Sequence, residues 1–305
     1  MTDKISLTEV GPRDGLQSET CELPSAFKIE LINRLIDAGL RRLEVASFVN
    51  PKKVPQMADA EAVISELPER DDVAYIGLVL NERGFERAAA TGIGEIGMVV
   101  VASETFNQRN QGVSIDESIQ AWRSMAAKAK KKNIRAGITV SAAFGCPFEG
   151  EVSEKHVLEI AQRVLQEDPD EIAIADTIGA GAPGQVVSLV SKLKELAGDV
   201  PVRCHFHNTR NTGLANAYVA IQSGADVIDA SIGGMGGCPF APHATGNVPT
   251  EDLVYMLHRS GFATGIDLEK LVETSQWLEG KLGHSLPAMI PRAGVFPTPK
   301  ESALG

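Results

Sequence analysis

Short runs of β-branched and aliphatic residues recur along the chain, spaced so that one helix fits between each pair: ISLTEVG from Ile5, RRLEVAS from Arg41, VAYIGLVL from Val73, EIGMVVVAS from Glu95, RAGITVSAA from Arg135, EIAIADT from Glu171, VRCHFHN from Val202 and VIDASIGG from Val227. Between them apolar residues fall three and four apart, as in SAFKIELINRLIDAG from Ser25 and IDESIQAWRSMAAKAKKKN from Ile115. Ser25 is the expected N-cap of the first of these helices and Gly39 its stop. Eight β-α units without a linker or a break in composition predict a single α/β domain, a (β/α)8 TIM barrel over about residues 1–262 with a short helical C-terminal extension over about 263–305. The competing arrangement of the same units is a doubly wound open sheet.

A barrel requires its chemistry to gather at the C-terminal ends of the strands, and the polar residues fall there. Arg13 and Asp14 follow the first run, Glu44 and Ser47 end the second, and Asn81 and Glu104 follow the third and fourth. Asp176 and Thr177 end the sixth, and His205 and His207 end the seventh. After the eighth comes GGMGGCPFAPHATGN, Gly233 to Asn247, too rich in glycine for regular structure and too long for a simple turn.

Composition narrows the function classes. The 305 residues are 43% hydrophobic and 23% charged, which excludes a disordered chain. The longest apolar run, IGMVVVA from Ile96, is far below the ~20 residues a membrane helix needs, and MTDKISLTEV has no apolar signal core, so a cytoplasmic protein is expected. A net charge of −11 argues against a nucleic-acid partner but leaves room for local basic pockets. Cys21, Cys146, Cys204 and Cys238 form no C-x-x-C pair and read as reduced thiols. Two glycine motifs fit G-x-G-x-x-G. GIGEIG at Gly92 precedes a strand instead of following one, and GAGAPG at Gly179 lacks the acidic ribose anchor ~20 residues on, so a nicotinamide site is not expected.

On a strand, residues i and i+2 share a face, so His205 and His207 project together while Cys204 and Phe206 point the other way. Two hydrogen-bonded strand histidines would satisfy that pattern alone. With Asp14 across the same barrel mouth, two imidazoles and a carboxylate suit a divalent cation such as Mg²⁺, Mn²⁺, Co²⁺ or Zn²⁺.

The blocks TEVGPRDGLQSE from Thr8, EVASFVNPKKVPQMADA from Glu44, SETFNQRN from Ser103, FGCPFEG from Phe144, IADTIGAGAPG from Ile174, the H-x-H and GGMGGCPFAPHATGNVPTEDLVYML from Gly233 together resemble the hydroxymethylglutaryl-CoA lyases. These belong to a superfamily of metal-dependent TIM-barrel lyases and synthases with an R-D signature on the first strand. The resemblance implies retro-Claisen cleavage of a 3-hydroxy-3-methylglutaryl-CoA-like thioester to acetyl-CoA and a 3-oxo acid. It implies that Asp14, His205, His207 and Asn247 hold the metal, that Arg13 faces the thioester oxygen and that Cys238 is a catalytic thiol. Glu44 and Asp176 match further active-site carboxylates, and Asn110 matches a polar active-site position. Gln17, Ser47 and Arg210 join Asn110 as expected substrate-binding residues. Cys238, Asp176 and His205 are the titratable set for the two proton transfers, with their roles left open.

Departures from the family pattern fall on residues able to touch the acyl group. After the H-x-H the family reads D-T-[YG]-G, whereas this chain has Asn208, Thr209, Arg210 and Asn211; Gly137 and Thr139 stand where other lyases carry Arg and Tyr, and Thr20 replaces a basic residue. Within the superfamily the competing reading is a Claisen-type synthase of the isopropylmalate or citramalate kind, which generally carries a long regulatory region. Outside it, the competing reading is a metal-binding barrel without catalysis. The expected partner is an acyl-CoA thioester, and a homo-oligomer, dimer or tetramer, is expected.

Overall fold

A computed structural model describes residues 5–237 and 246–297. Eight parallel strands close into a barrel in sequence order, with β8 pairing back onto β1. They are β1 (Ser6–Glu9), β2 (Arg42–Ser47), β3 (Ala74–Leu78), β4 (Glu95–Val101), β5 (Arg135–Ser141), β6 (Glu171–Asp176), β7 (Val202–Phe206) and β8 (Val227–Ala230). The closed order rules out the open doubly wound sheet. Except for β2, which ends with its run at Ser47, the strands end one to four residues before the apolar runs do, because the run's last residues turn into the loops that carry the site.

The helices are α1 (Ser25–Asp37), α2 (Ala60–Glu66), α3 (Glu82–Ala90), α4 (Glu104–Gln111), α5 (Ile115–Lys132), α6 (Glu154–Leu165), α7 (Pro183–Ala197), α8 (Gly213–Gln222) and α9 (Thr250–Arg259). Beyond them, α10 (Leu268–Leu282) and α11 (Ile290–Ala293) form the C-terminal part of the described chain. No helix among the described residues is long and apolar enough to cross a membrane.

Local chemistry accounts for most helix ends. α5 opens on a capping box, Ser114 and Glu117 satisfying each other's backbone N–H groups, and closes with three lysines against the C-terminal dipole. α1 differs from its expected start. Pro24 precedes the helix, Ser25 is already helical, and the Ser25 hydroxyl donates to Asp59 Oδ2 at 2.7 Å. Gly39 does stop the chain, at φ +103, where a Cβ would lie 2.5 Å from the Gly265 carbonyl oxygen.

Three polar residues expected at the barrel mouth serve the scaffold. The Asn81 side chain caps α3 by accepting from Gly84 N, and Glu104 Oε2 accepts from Ile115 N at 3.1 Å. The Thr177 hydroxyl accepts from Ala142 N at 3.0 Å, tying the β5 and β6 ends together.

Apolar residues fill the shell between strands and helices, with Trp122, Phe85 and Phe206 fully buried. The barrel interior is different. Glu95, Glu171, Arg203 and Asp229, from β4, β6, β7 and β8, are buried there, with Arg42 of β2 partly buried among them, where a barrel core is usually aliphatic. β2 carries one further irregularity: Glu44 pairs with Ile76 but Ala46 with Gly77 and Ser47 with Leu78. Ile76 and Leu78 share a face, so this bulge returns Ser47 to the face of Glu44 although three residues separate them.

Candidate active site

The first strand ends in an unusual turn. Pro12 opens a π-helical segment, Gly11–Gly15, that presents Arg13 and Asp14 from consecutive positions. Arg13 Nε donates to Glu44 Oε1 at 2.5 Å and Nη1 to Asp14 Oδ1 at 2.6 Å. Burial opposes its charge, but Glu44 and Asp14 outweigh that and keep the guanidinium protonated. Arg13 Nη2 makes no hydrogen bond among the described residues.

Asp14, His205 and His207 present ligand atoms that all lie within 4.8 Å of one another. Burial alone would raise the Asp14 carboxyl, but Arg13, the two histidines and the Asn247 amide hold it down at about 2. His207 is pushed down to about 4 by burial and then by His205, so its ring is neutral at pH 7 and offers lone pairs. Burial also opposes charge on His205, yet Asp229, 3.1 Å from Nδ1, brings its pKa above the ordinary value.

Asn247 reaches this group through a bridge to His207 that brings distant parts of the chain together. Its Nδ2 donates to Asp14 Oδ2 at 2.7 Å and to the Met235 carbonyl at 2.9 Å. That crowding leaves no room for side chains nearby: a Cβ on Gly236 would sit 2.4 Å from Asn247 Nδ2.

Two observations fit a cation here. His207 Nδ1 and Asn247 Oδ1 are buried without a hydrogen-bond partner, a state that needs an explanation. The ion pairs around the site and through the barrel also carry five carboxylates (Glu44, Asp14, Glu95, Glu171, Asp229) against four guanidiniums (Arg13, Arg42, Arg203 and the exposed Arg135, 3.8 Å from Glu95). The excess is one negative charge, which a bound cation would offset, and uncompensated buried charge is expensive. A carboxylate, an amide oxygen and two imidazoles form a hard-to-borderline donor set suited to such an ion.

The other expected residues fall at differing distances from this centre. Gln17 Oε1 and Ser47 Oγ are also buried without partners, just beyond β1 and at the end of β2. Asp176 ends β6, but both its oxygens are claimed by the following loop, from Ala180 N at 2.8 Å and Gly181 N at 2.9 Å. Burial raises its pKa in spite of those bonds. The amides of the GAGAPG turn are thus spent on Asp176 instead of a phosphate, which explains the motif without a nucleotide. Arg210 Nη1 donates to the carbonyls of Ile178 at 3.0 Å and Gly179 at 2.9 Å, clamping that same loop. Asn110 is exposed on α4. Cys238 lies outside the described residues. Cys146 and Cys204 are buried, the latter with its thiol pushed above the ordinary range by burial, and Cys21 is exposed.

Sequence reasoning missed Asp229 and Arg203. Both carried a signal: Asp229 is a lone carboxylate inside an apolar strand, and Arg203 shares the face of His205 and His207 by the same i, i+2 rule. It also missed Glu9 and Glu251, whose acids lie fully buried beneath the turn at Ile232–Gly234.

A closed parallel barrel with a braced arginine and a carboxylate–imidazole cluster at the C-terminal ends of its strands is an enzyme site of the TIM-barrel type. The model of the HMGL-like family matches residues 4–278, and the chain belongs to that family and is a carbon–carbon lyase. Among its relatives, the (R)-citramalyl-CoA lyase of Chloroflexus aurantiacus is 42% identical over 97% of this chain and 96% of its own length. The hydroxymethylglutaryl-CoA lyase of Pseudomonas mevalonii is 40% identical over 92% of this chain and 93% of its own length. A solved HMG-CoA lyase from Acinetobacter baumannii, in complex with coenzyme A and 3-methylmalate, superposes with a TM-score of 0.94 at 39% identity, covering 97% of both chains.

Proposed function

We propose that the protein cleaves 3-hydroxy-3-methylglutaryl-CoA between C2 and C3 in a retro-Claisen reaction, giving acetyl-CoA and acetoacetate. The observation that carries this reading is the Asp14, His205, His207 and Asn247 group beside the braced Arg13 in a chain of the HMGL-like family. A divalent ion held by those four residues, Mg²⁺ or Mn²⁺ ahead of Co²⁺ or Zn²⁺ given the two oxygen donors, supplies a Lewis acid that lowers the pKa of a bound hydroxyl.

The protein's own groups account for the rest. As the C–C bond breaks, negative charge develops on the thioester oxygen, and a fixed cation there stabilises it. Arg13 suits that task because Glu44 and Asp14 lock two of its nitrogens and leave Nη2 to donate. The substrate hydroxyl must lose a proton and the enolate carbon must gain one. The titratable groups for these transfers are Asp176, His205 and Cys238. Gln17 and Ser47 offer unpartnered oxygens to the acyl group.

A second reading takes (R)-citramalyl-CoA as substrate, breaking the equivalent bond to give acetyl-CoA and pyruvate. The 42% identity to a citramalyl-CoA lyase over nearly the whole chain favours it. The two substrates differ only in how far the carboxylate lies from the carbinol carbon. Mn²⁺-loaded protein incubated with each thioester in turn, with acetyl-CoA, acetoacetate and pyruvate followed, separates the readings. Release of acetoacetate supports the first, release of pyruvate the second, and no acetyl-CoA from either overturns both.

A further inference from the structure

From the barrel interior we infer that Asp229 is a positioning residue: it fixes the orientation and tautomer of His205 so that Nε2 faces the cation site, and it is itself held by a buried ion chain crossing the barrel. The inference rests on the metal reading above. The geometry starts at the ring, where His205 Nδ1 lies 3.1 Å from Asp229 Oδ2. An imidazole whose Nδ1–H donates to a carboxylate has its lone pair on Nε2, the atom then left for Asp14 and His207. His207 differs, since its Nδ1 has no partner.

Asp229 is braced in turn. Arg203 Nη1 donates to Asp229 Oδ1 at 3.3 Å, and Arg203 Nε lies 2.8 Å from Glu171 Oε1, an ion pair off the line of a hydrogen bond. Arg42 grips both Glu171 oxygens, at 2.6 and 2.9 Å, and also contacts Glu95. Asp229 is therefore unable to turn away from His205 without breaking a chain anchored on four other strands.

Its charge argues against a purely structural role. Arg135, the third guanidinium of the chain, is exposed at its far end, 3.8 Å from Glu95, so Asp229 is the third buried carboxylate beside the two inner guanidiniums, Arg42 and Arg203. A surplus buried anion is retained at a cost unless a cation stands on its other side. That side is His205 and the cluster beyond it.

Two measurements test this. In metal-free wild-type protein, nitrogen-15 NMR of the imidazoles at a pH where the His205 ring is neutral, with His205 assigned by loss of its signals in His205→Gln, should show His205 as the Nδ1–H tautomer. Equilibrium Mn²⁺ binding, read by electron paramagnetic resonance of free Mn²⁺, should weaken by ~10-fold or more in Asp229→Asn. The contrast variant Glu251→Gln, which alters a fully buried carboxyl outside the ion chain and out of contact with His205, should bind Mn²⁺ as the wild type does. An Nε2–H tautomer, or Mn²⁺ affinity in Asp229→Asn equal to wild type, overturns the inference. Equal losses in Asp229→Asn and Glu251→Gln also overturn it, by making the effect one of general stability. If the wild type binds no Mn²⁺ while its His205 is the Nδ1–H tautomer, the metal reading fails and the positioning contact stands alone.

Discussion

Replacing Glu251 by glutamine should flatten the pH dependence of stability. Glu251 is fully buried near the start of α9, with both carboxyl oxygens 3.0 Å from Gly233 N. Burial, chiefly, lifts its pKa to about 8, with nearby Glu9 adding to the rise. Burial likewise lifts Glu9 to about 7, although Glu9 accepts from Thr250, Ile232 and Gly11. Both pKa values are higher folded than unfolded. Each carboxyl therefore contributes stability that is fully present below the ordinary glutamate pKa and is lost as pH rises through the folded value.

Between about pH 5.5 and 6.5 the folded protein holds two protons that the unfolded chain releases, so the wild type loses roughly 2.7 kcal/mol per pH unit from this pair. Glu251→Gln removes one of them and leaves roughly 1.4 kcal/mol per unit over the same interval. From about pH 7 to 8 the wild type should keep falling while the variant levels off. Urea unfolding at several pH values in the presence of a chelator, compared as the difference between the two proteins, isolates this contribution from the histidines, which titrate in both. Identical slopes would refute the argument and show that Glu251 is ionised in the folded state at neutral pH.

Arg13→Lys should lower kcat by ~10²-fold or more with little change in KM, because lysine keeps the charge but lacks the planar fork that Glu44 and Asp14 hold at Nε and Nη1 while Nη2 stays fixed and free to donate; a wild-type kcat removes Arg13 from the mechanism. Saturation with Mn²⁺ at ~100 times its Kd should stabilise the protein by about 2.7 kcal/mol, and His207→Ala should abolish that gain in a thermal shift assay; an unchanged shift in the variant would displace the ligand assignment. Arg210→Ala should leave metal content intact and impose the same penalty on a full acyl-CoA and on a truncated pantetheine thioester, since its Nη1 is committed to the carbonyls of Ile178 and Gly179. A penalty confined to the CoA ester would instead make Arg210 a phosphate contact. Iodoacetamide mapping should find Cys146 and Cys204 protected by burial and Cys238 protected by substrate; labelling of Cys21 alone, with substrate making no difference at Cys238, would count against a catalytic thiol.

What could be read from the sequence was local or periodic. Eight apolar runs alternating with helical spacing specify a barrel because each strand must bury both faces and each helix one stripe, and the i, i+2 rule places His205 beside His207 before any tertiary contact is known. The grouping of Arg13, Asp14 and Asn247 with those histidines was legible through family motifs. Its geometry was not, since Asn247 meets His207 and Asp14 only when the barrel closes.

The tertiary structure alone decided how the polar groups spend their bonds. Asp176 and Arg210 carry the residue types of a site, yet the turn after β6 ties Asp176 to amides four and five residues on, and a long-range contact ties Arg210 Nη1 to the carbonyls of that loop. Ser47 reaches the face of Glu44 through a bulge that no alternation pattern reveals. Asp229, Arg203, Glu171, Arg42 and Glu95 come from five separate strands, and nothing along the chain marks them as one another's partners. Barrel closure brings them within hydrogen-bonding distance and buries them. A charge in a low-dielectric interior is set by its nearest partners, and those partners are neighbours in space, not along the chain.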